Sequence, residues 1–289
     1  HEELVLALKA AGARAAMNGI TSVQTNDAKD NWREIYRIFI EANLPLRARL
    51  LPTLSRESLL SDLDDLRQVM AKSGPKVAMG TIKVMADGSL GARTAALDTP
   101  YADDWQNKGI HYYSQSELNE LVACIHDCGL QVAIHAIGDY TVGQCLTAIE
   151  LAQGGDISRR HRIIHCQVLR ADLIDRMSRA GIIAEIQPVF LITDHHWTES
   201  RLGLERLSFA YCWKTLIERG VKCAGGSDSP VEDINPLLGI HAAVNRTDLQ
   251  GAPAGGWLPT QRLSIPEAKL PCLRRGQLMQ SIVNHLKAF

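Results

Sequence analysis

The sequence predicts an α/β protein of the (β/α)8 TIM-barrel type, incomplete by one strand. Three observations carry that expectation. Seven short β-like runs alternate with amphipathic stretches along the chain. The 289 residues, 46% of them hydrophobic, are enough for one such barrel, whose usual length is about 250 residues. Strands separated by helices make parallel βαβ units joined by right-handed crossovers. A doubly wound open sheet is the alternative. No GxGxxG run opens a helix, so its dinucleotide-binding version has no support.

In chain order, Leu4 to Asn18 reads as a helix closed by Gly19, and Ile20 to Gln24 is a β-branched run. Asp30 to Ala42 is helical, Leu46 to Leu50 β-like, Ser58 to Lys72 helical, and Val77 to Met85 a single strand. Asp98 to Gly109 is a long polar loop. Ser114 to Cys128 is a helix whose Ser114 and Glu117 have capping-box spacing. Strands at Gln131–His135, Arg162–Cys166, Ile182–Gln187 and Val221–Gly225 alternate with helices at Val142–Gln153, Ala171–Ala180 and Ala210–Arg219. Gly181 and Gly220 stand where helices end. Gly251 to Gly256 reads as a surface loop.

Composition narrows the function classes. Lys+Arg 31 against Asp+Glu 32 leaves a formal charge of −1 with no basic stripe, so no nucleic-acid partner is expected. No run of roughly 18 uncharged apolar residues occurs, so no membrane span is expected. Seven cysteines form an odd set without a CxxC pair, which suits buried free thiols and a cytoplasmic setting. The chain opens on His1 inside a helical pattern, so the N-terminus reads as truncated and a signal peptide upstream stays open.

Four polar residues fall at or near the C-terminal ends of strand-like runs, the edge that carries chemistry in a βα barrel. They are Lys83 within Thr81–Met85, His135 after Gln131–Ile134, His165 after Arg162–Ile164, and Asp228 after Ala224–Ser227. Each has an ordinary account: a hydrogen-bonded core histidine, a solvent-facing lysine, a helix-capping aspartate. Together, two imidazoles, a carboxylate and an inward lysine are the parts of a divalent-metal site.

At these positions the chain resembles the amidohydrolase superfamily, in its YtcJ-like branch (amidohydrolase family 3). The resemblance rests on Lys83 to Leu97 (KVMADGSLGARTAAL), His135 to Asp139 (HAIGD), Arg162 to Gln167 (RIIHCQ) and Gly226 to Val231 (GSDSPV). It is reinforced by Gln187-Pro188, Arg201-Leu202-Gly203 with Glu205-Arg206, and Asn235-Pro236-Leu237, in order from Leu4 to Ala268. It implies a metal-dependent hydrolase barrel acting on amide-type carbon–nitrogen bonds of a small-molecule substrate. The seven runs then count as strands two to eight. Lys83 becomes a carboxylation candidate and bridging ligand, His135 and His165 become ligands, and Asp228 becomes a ligand and the proton-transferring catalytic residue. The implied cofactor is a divalent metal, Zn²⁺ in one or two copies, lowering the pKa of a bound water to about 7. Arg93, Asp139 and His196 are substrate-pocket candidates, with His195, Trp197 and His241 behind them. An exposed polar loop is the competing account of His195-His196; His126 reads as solvated, and His111 and His161 as structural. A homodimer is left open as an assembly.

Two departures bear on this reading. No His-x-His pair occurs anywhere, so the chain supplies at most four of the six ligands the resemblance implies. The first strand and the small β-sandwich domain are missing from the pattern. From about Lys269 the pattern the resemblance implies stops, and one allowed back-translation of Arg275–Gln280, read in a shifted frame, gives a family-like Gly-Ala-Ala-Tyr-Ala. The expected organisation is therefore a partial barrel over 1–268 and a frameshifted tail over 269–289. A non-catalytic barrel remnant is the alternative functional class.

Overall fold

The structure, a computed structural model, describes residues 1–26 and 28–268; the expected aberrant tail lies outside the described residues. Eight strands are assigned: β1 Ser22–Thr25, β2 Arg47–Leu50, β3 Val77–Met79, β4 Thr81–Met85, β5 Gln131–Ala136, β6 Arg162–His165, β7 Ile183–Ile186 and β8 Lys222–Gly225. The helices are α1 Glu2–Met17, α2 Trp32–Ala42, α3 Arg56–Lys72, α4 Gln115–Asp127, α5 Asp139–Gln153, α6 Ala171–Arg179, α7 Leu191–Leu202, α8 Trp213–Glu218 and α9 Pro236–Asn245. All strand pairings are parallel, in two sheets ordered β1-β2-β3 and β4-β5-β6-β7-β8.

One sequence expectation is corrected here. The run Val77–Met85 is not one strand, because Gly80 takes φ +147°, a backbone conformation open to glycine and rare for other residues. The break sends β3 to β2 and β4 to β5. The sheets stay stitched together. The Lys83 N–H donates to the Pro52 carbonyl at 2.9 Å, and Thr53 forms a parallel bridge with Lys83.

The helices form where apolar residues recur on one face. In α1, Val5, Leu8, Gly12 and Ala15 are buried, and a Cβ at Gly12 would stand 2.9 Å from Leu44 Cδ2. In α2, Trp32, Ile35, Ile38, Phe39 and Ala42 are buried. The predicted capping box is present at α4: Ser114 accepts from the Glu117 N–H and Glu117 accepts from the Ser114 N–H. Helix α5 packs between α4 and α6, which is why polar Thr141 and Gln144 are buried along with its apolar face.

Strand register decides what faces what. Met85, His135, Ile164, Glu185 and Ala224 stand side by side across β4 to β8. Two residues earlier, Lys83, Ala133, Arg162 and Ile183 share the same face, because strand side chains alternate. The intervening Val132, Ile134, Ile163 and Ala184 are fully buried on the helix side. A cavity of about 30 Å³ on the inner face is lined by Gln24 of β1 and Leu51 after β2, together with Ile164, Glu185, Ala224 and Asp228. Outer strands β1 and β8 therefore border one interior.

Candidate metal centre

Lys83 is 4% exposed in mid-strand, and the charges that act on it are those of Asp228, Glu185 and Arg162. Burial, partly offset by the two carboxylates, brings its amine down to about 8.

His135 is held by its neighbours. Its Nε2 lies 2.9 Å from the Gly88 carbonyl and 3.4 Å from Asp87 Oδ1. A carbonyl only accepts, so Nε2 carries the proton and Nδ1 keeps the lone pair. Asp87 is fully buried and accepts backbone N–H groups of Ala96, Ile137 and Gly138 at 3.1, 3.0 and 2.9 Å, which fixes its carboxylate.

His165 would point away from the interior by register, since it pairs with Ala136. Its left-handed φ of +78° re-aims the side chain, and its ring meets that of His135 edge-on at 4.4 Å. Phe190 lies against its other side at 6.0 Å. Its Nδ1 is buried without a hydrogen-bond partner, and burial together with His135 and Lys83 drives its basicity well below the usual histidine value. Asp228 also has a left-handed backbone, φ +54°. Burial raises its carboxyl against the opposing pull of Lys83 and His135. A left-handed non-glycine residue costs about 1 kcal/mol or more, so two among four candidate ligands point to function.

These residues fit a divalent cation in one definite respect. An orphaned imidazole nitrogen and a free lone pair on the adjoining histidine are groups that a cation would satisfy, and the buried Lys83 amine lies in the field of two carboxylates. His135, His165 and Asp228 do not form a set with ligand atoms within 4.8 Å of one another, whereas His195, His196 and Asp248 do.

The other candidates are placed as follows. Arg93 is engaged with Asp103, which accepts from its Nε and Nη2 at 2.9 Å each and also pairs with Arg201. Asp139 is the first residue of α5, accepts the Asp98 and Tyr140 N–H groups at 3.0 Å, and is raised by burial to about 6. Contrary to the polar-loop account, His195 and His196 lie in α7, with His195 buried and His196 exposed. His126 is not simply solvated: its Nδ1 is 3.0 Å from Nε2 of the fully buried His161. His241 turns to the 247–248 loop, 3.2 Å from the Asp248 carbonyl.

Three residues escaped the sequence reading. Asp87 follows Lys83 by four positions in the quoted motif, and Asp-Gly just past a strand was its available signal. Glu185 is a charge inside Ile-Ile-Ala-Glu-Ile, the same signal that singled out Lys83, and it pairs with Arg162. Asp248 had no signal, because only tertiary folding brings it to His195.

Comparison with known proteins follows the geometry. The model of the amidohydrolase family matches residues 1–270. The Bacillus subtilis (strain 168) protein named "Putative amidohydrolase YtcJ" is 44% identical over 184 residues, covering 64% of this chain and 35% of its own length. An uncharacterized metal-dependent hydrolase from Pyrococcus horikoshii OT3 superposes with a TM-score of 0.79 at 30% identity, over 92% of this chain and 53% of that one. One from Pyrococcus furiosus gives 0.75 at 31%, over 90% and 52%. The chain thus spans about a third to a half of the length of these relatives. A family match from residue 1 to 270 over parallel β/α units leaves one assignment: the chain belongs to the amidohydrolase family.

Proposed function

We propose that this chain is the greater part of a (β/α)8 barrel in a metal-dependent hydrolase that cleaves carbon–nitrogen bonds of a small-molecule substrate. The barrel reading is supported by β1 and β8 bordering one cavity and by the backbone ties between the two sheets. Lys83, His135, His165 and Asp228 would hold the metal. Imidazole and carboxylate ligands favour Zn²⁺. When bound, the ion supplies Lewis acidity toward the scissile carbonyl and toward water.

The protein's own groups do the rest. Gly88 and Asp87 hold the His135 ring so that Nδ1 faces the ligand. A Lys83 amine brought down to about 8 has a neutral fraction of roughly a tenth at pH 7. That neutral amine attacks carbon dioxide, forms an N–C bond and releases one proton, converting a cation into a carboxylate ligand. Asp228, its carboxyl raised by burial, takes a proton from the attacking water and returns it to the leaving nitrogen. Asp139 and His196 remain candidates for the substrate side of the pocket.

The observation that carries the proposal is the buried, partnerless Nδ1 of His165 beside the His135 ring. The test is metal content and amide hydrolysis of the protein grown with zinc, with intact-mass analysis of Lys83. Bound zinc that falls about tenfold or more in affinity in His165→Gln, and a mass gain of one carbon dioxide lost in Lys83→Ala, support the reading. Metal uptake unaffected by both variants sinks it. The lack of a His-x-His pair in the sequence favours a second reading, a barrel segment that holds metal without hydrolysing, which predicts zinc uptake with no turnover on any amide.

A further inference from the structure

We propose that His195, His196 and Asp248 form a second divalent-cation site that clamps α7 to the loop following α9. It shares no ligand with the centre built on Lys83, His135, His165 and Asp228. One ligand atom from each of the three residues lies within 4.8 Å of the others, and they come from segments about fifty positions apart.

Each residue is prepared for the role. His195 is 9% exposed, and its Nδ1 sits 2.9 Å from the Leu191 carbonyl, so Nδ1 carries the proton and Nε2 keeps its lone pair. An imidazole that donates its other N–H to a backbone carbonyl is in the state a metal-ligating histidine adopts. Consecutive residues on a helix diverge by about 100°. Yet the His195 and His196 rings have drawn together to 3.8 Å between centroids, tilted by 38°. Asp248 is steered by its own loop: Oδ1 accepts the N–H groups of Gln250 at 2.9 Å and Ala252 at 2.8 Å, and Oδ2 makes no hydrogen bond. Nε2 of His241, 3.2 Å from the Asp248 carbonyl, buttresses the same turn.

Two imidazoles and one carboxylate select a borderline ion such as Zn²⁺ over Mg²⁺ or Ca²⁺, which call for oxygen ligands. Tetrahedral ligands on zinc stand about 3.3 Å apart, a spacing the exposed His196 side chain and the loop at Asp248 can reach by small shifts. The clamp would also bear on the first centre, because α7 follows directly from Phe190, which lies against His165.

The experiment is equilibrium dialysis of Zn²⁺ against the whole chain, comparing the starting protein with Asp248→Asn, His196→Gln and, separately, His165→Gln. Asp248→Asn keeps the Oδ1 acceptor, so the melting temperature without metal should be unchanged while the anionic ligand is lost. The expected result is a zinc class weakened about tenfold or more in both Asp248→Asn and His196→Gln and retained in His165→Gln. Proteolysis between Gln250 and Gly255 should slow with Zn²⁺ in the starting protein and in His165→Gln, and not in Asp248→Asn or His196→Gln. Equal zinc binding in the starting protein, Asp248→Asn and His196→Gln overturns this inference. Zinc uptake lost only in His165→Gln overturns it too, while leaving the first centre standing.

Discussion

The three-stranded sheet β1–β3 and the five-stranded sheet β4–β8 are built from the same parallel β/α units, yet they bury different chemistry. The first buries Val23, Ala48, Leu50 and Val77 and is covered by Trp32, Ile38, Phe39, Leu59 and Leu66. The second buries Lys83, His135, Arg162 and His165 within its strands and Asp87, Gln167, Gln187 and Ser227 just beyond them. Burying a polar group costs free energy unless a partner compensates it, so such groups persist only where apolar packing elsewhere holds the backbone in place. The comparison teaches a division of labour. One sheet is stabilised mainly by apolar contact, with Ser22 and Thr25 as its buried polar residues, and the other spends stability on a larger set of buried charged and polar groups.

The sharpest way to break that contrast is to place a lysine in the first sheet. Ala48→Lys buries an unpaired cation among apolar neighbours and should cost about 5 kcal/mol in urea unfolding; a cost below about 1 kcal/mol would erase the distinction. Trp32→Ala removes a fully buried ring whose Nε1 donates to Asp62 at 2.7 Å, and a loss of about 4 kcal/mol is expected in the same assay.

The second sheet should respond through hydrogen bonds instead. Asp87→Ala strands the N–H groups of Ala96, Ile137 and Gly138 and frees the His135 ring, at about 3 kcal/mol, with an upfield shift and broadening of the His135 ring N–H signal in NMR. Asp139 supplies a pH signature. Burial raises it from 3.8 to about 6 in the folded chain, so between those values the folded state binds the extra proton. Its contribution is most favourable below about pH 4 and declines as pH rises through about 6, by about 3 kcal/mol in all. Asp139→Asn should flatten that slope in a pH series of urea melts. The smallest effect is expected at a surface cap: Ser114→Ala, losing one half of the α4 capping box, should cost about 1 kcal/mol and leave zinc binding alone.

Much of the fold was legible because it follows from local pattern. The capping box at Ser114 and Glu117, the glycine exits and the seven β/α alternations all appear where periodicity and turn chemistry place them. Gly80 inside the run Val77 to Met85 was the available signal of a break, but the switch between sheets depends on which strand each half pairs with. The polar-loop alternative for His195-His196 fails because Phe190, Leu191 and Leu202 supply apolar anchors that carry the polar residues between them into a helix.

The sequence by itself determined the β/α order, the places of His135, His165 and Asp228 at or just past strand ends, and that of Lys83 inside its strand, because alternation and chain order are one-dimensional properties. Tertiary structure alone decided the left-handed turn that swings His165 onto His135, the hold of Asp87 on that ring, and the meeting of Asp248 with His195 and His196. Those depend on pairing register and on contacts between segments far apart in the chain, where the free energy of one residue is set by neighbours that no local pattern names.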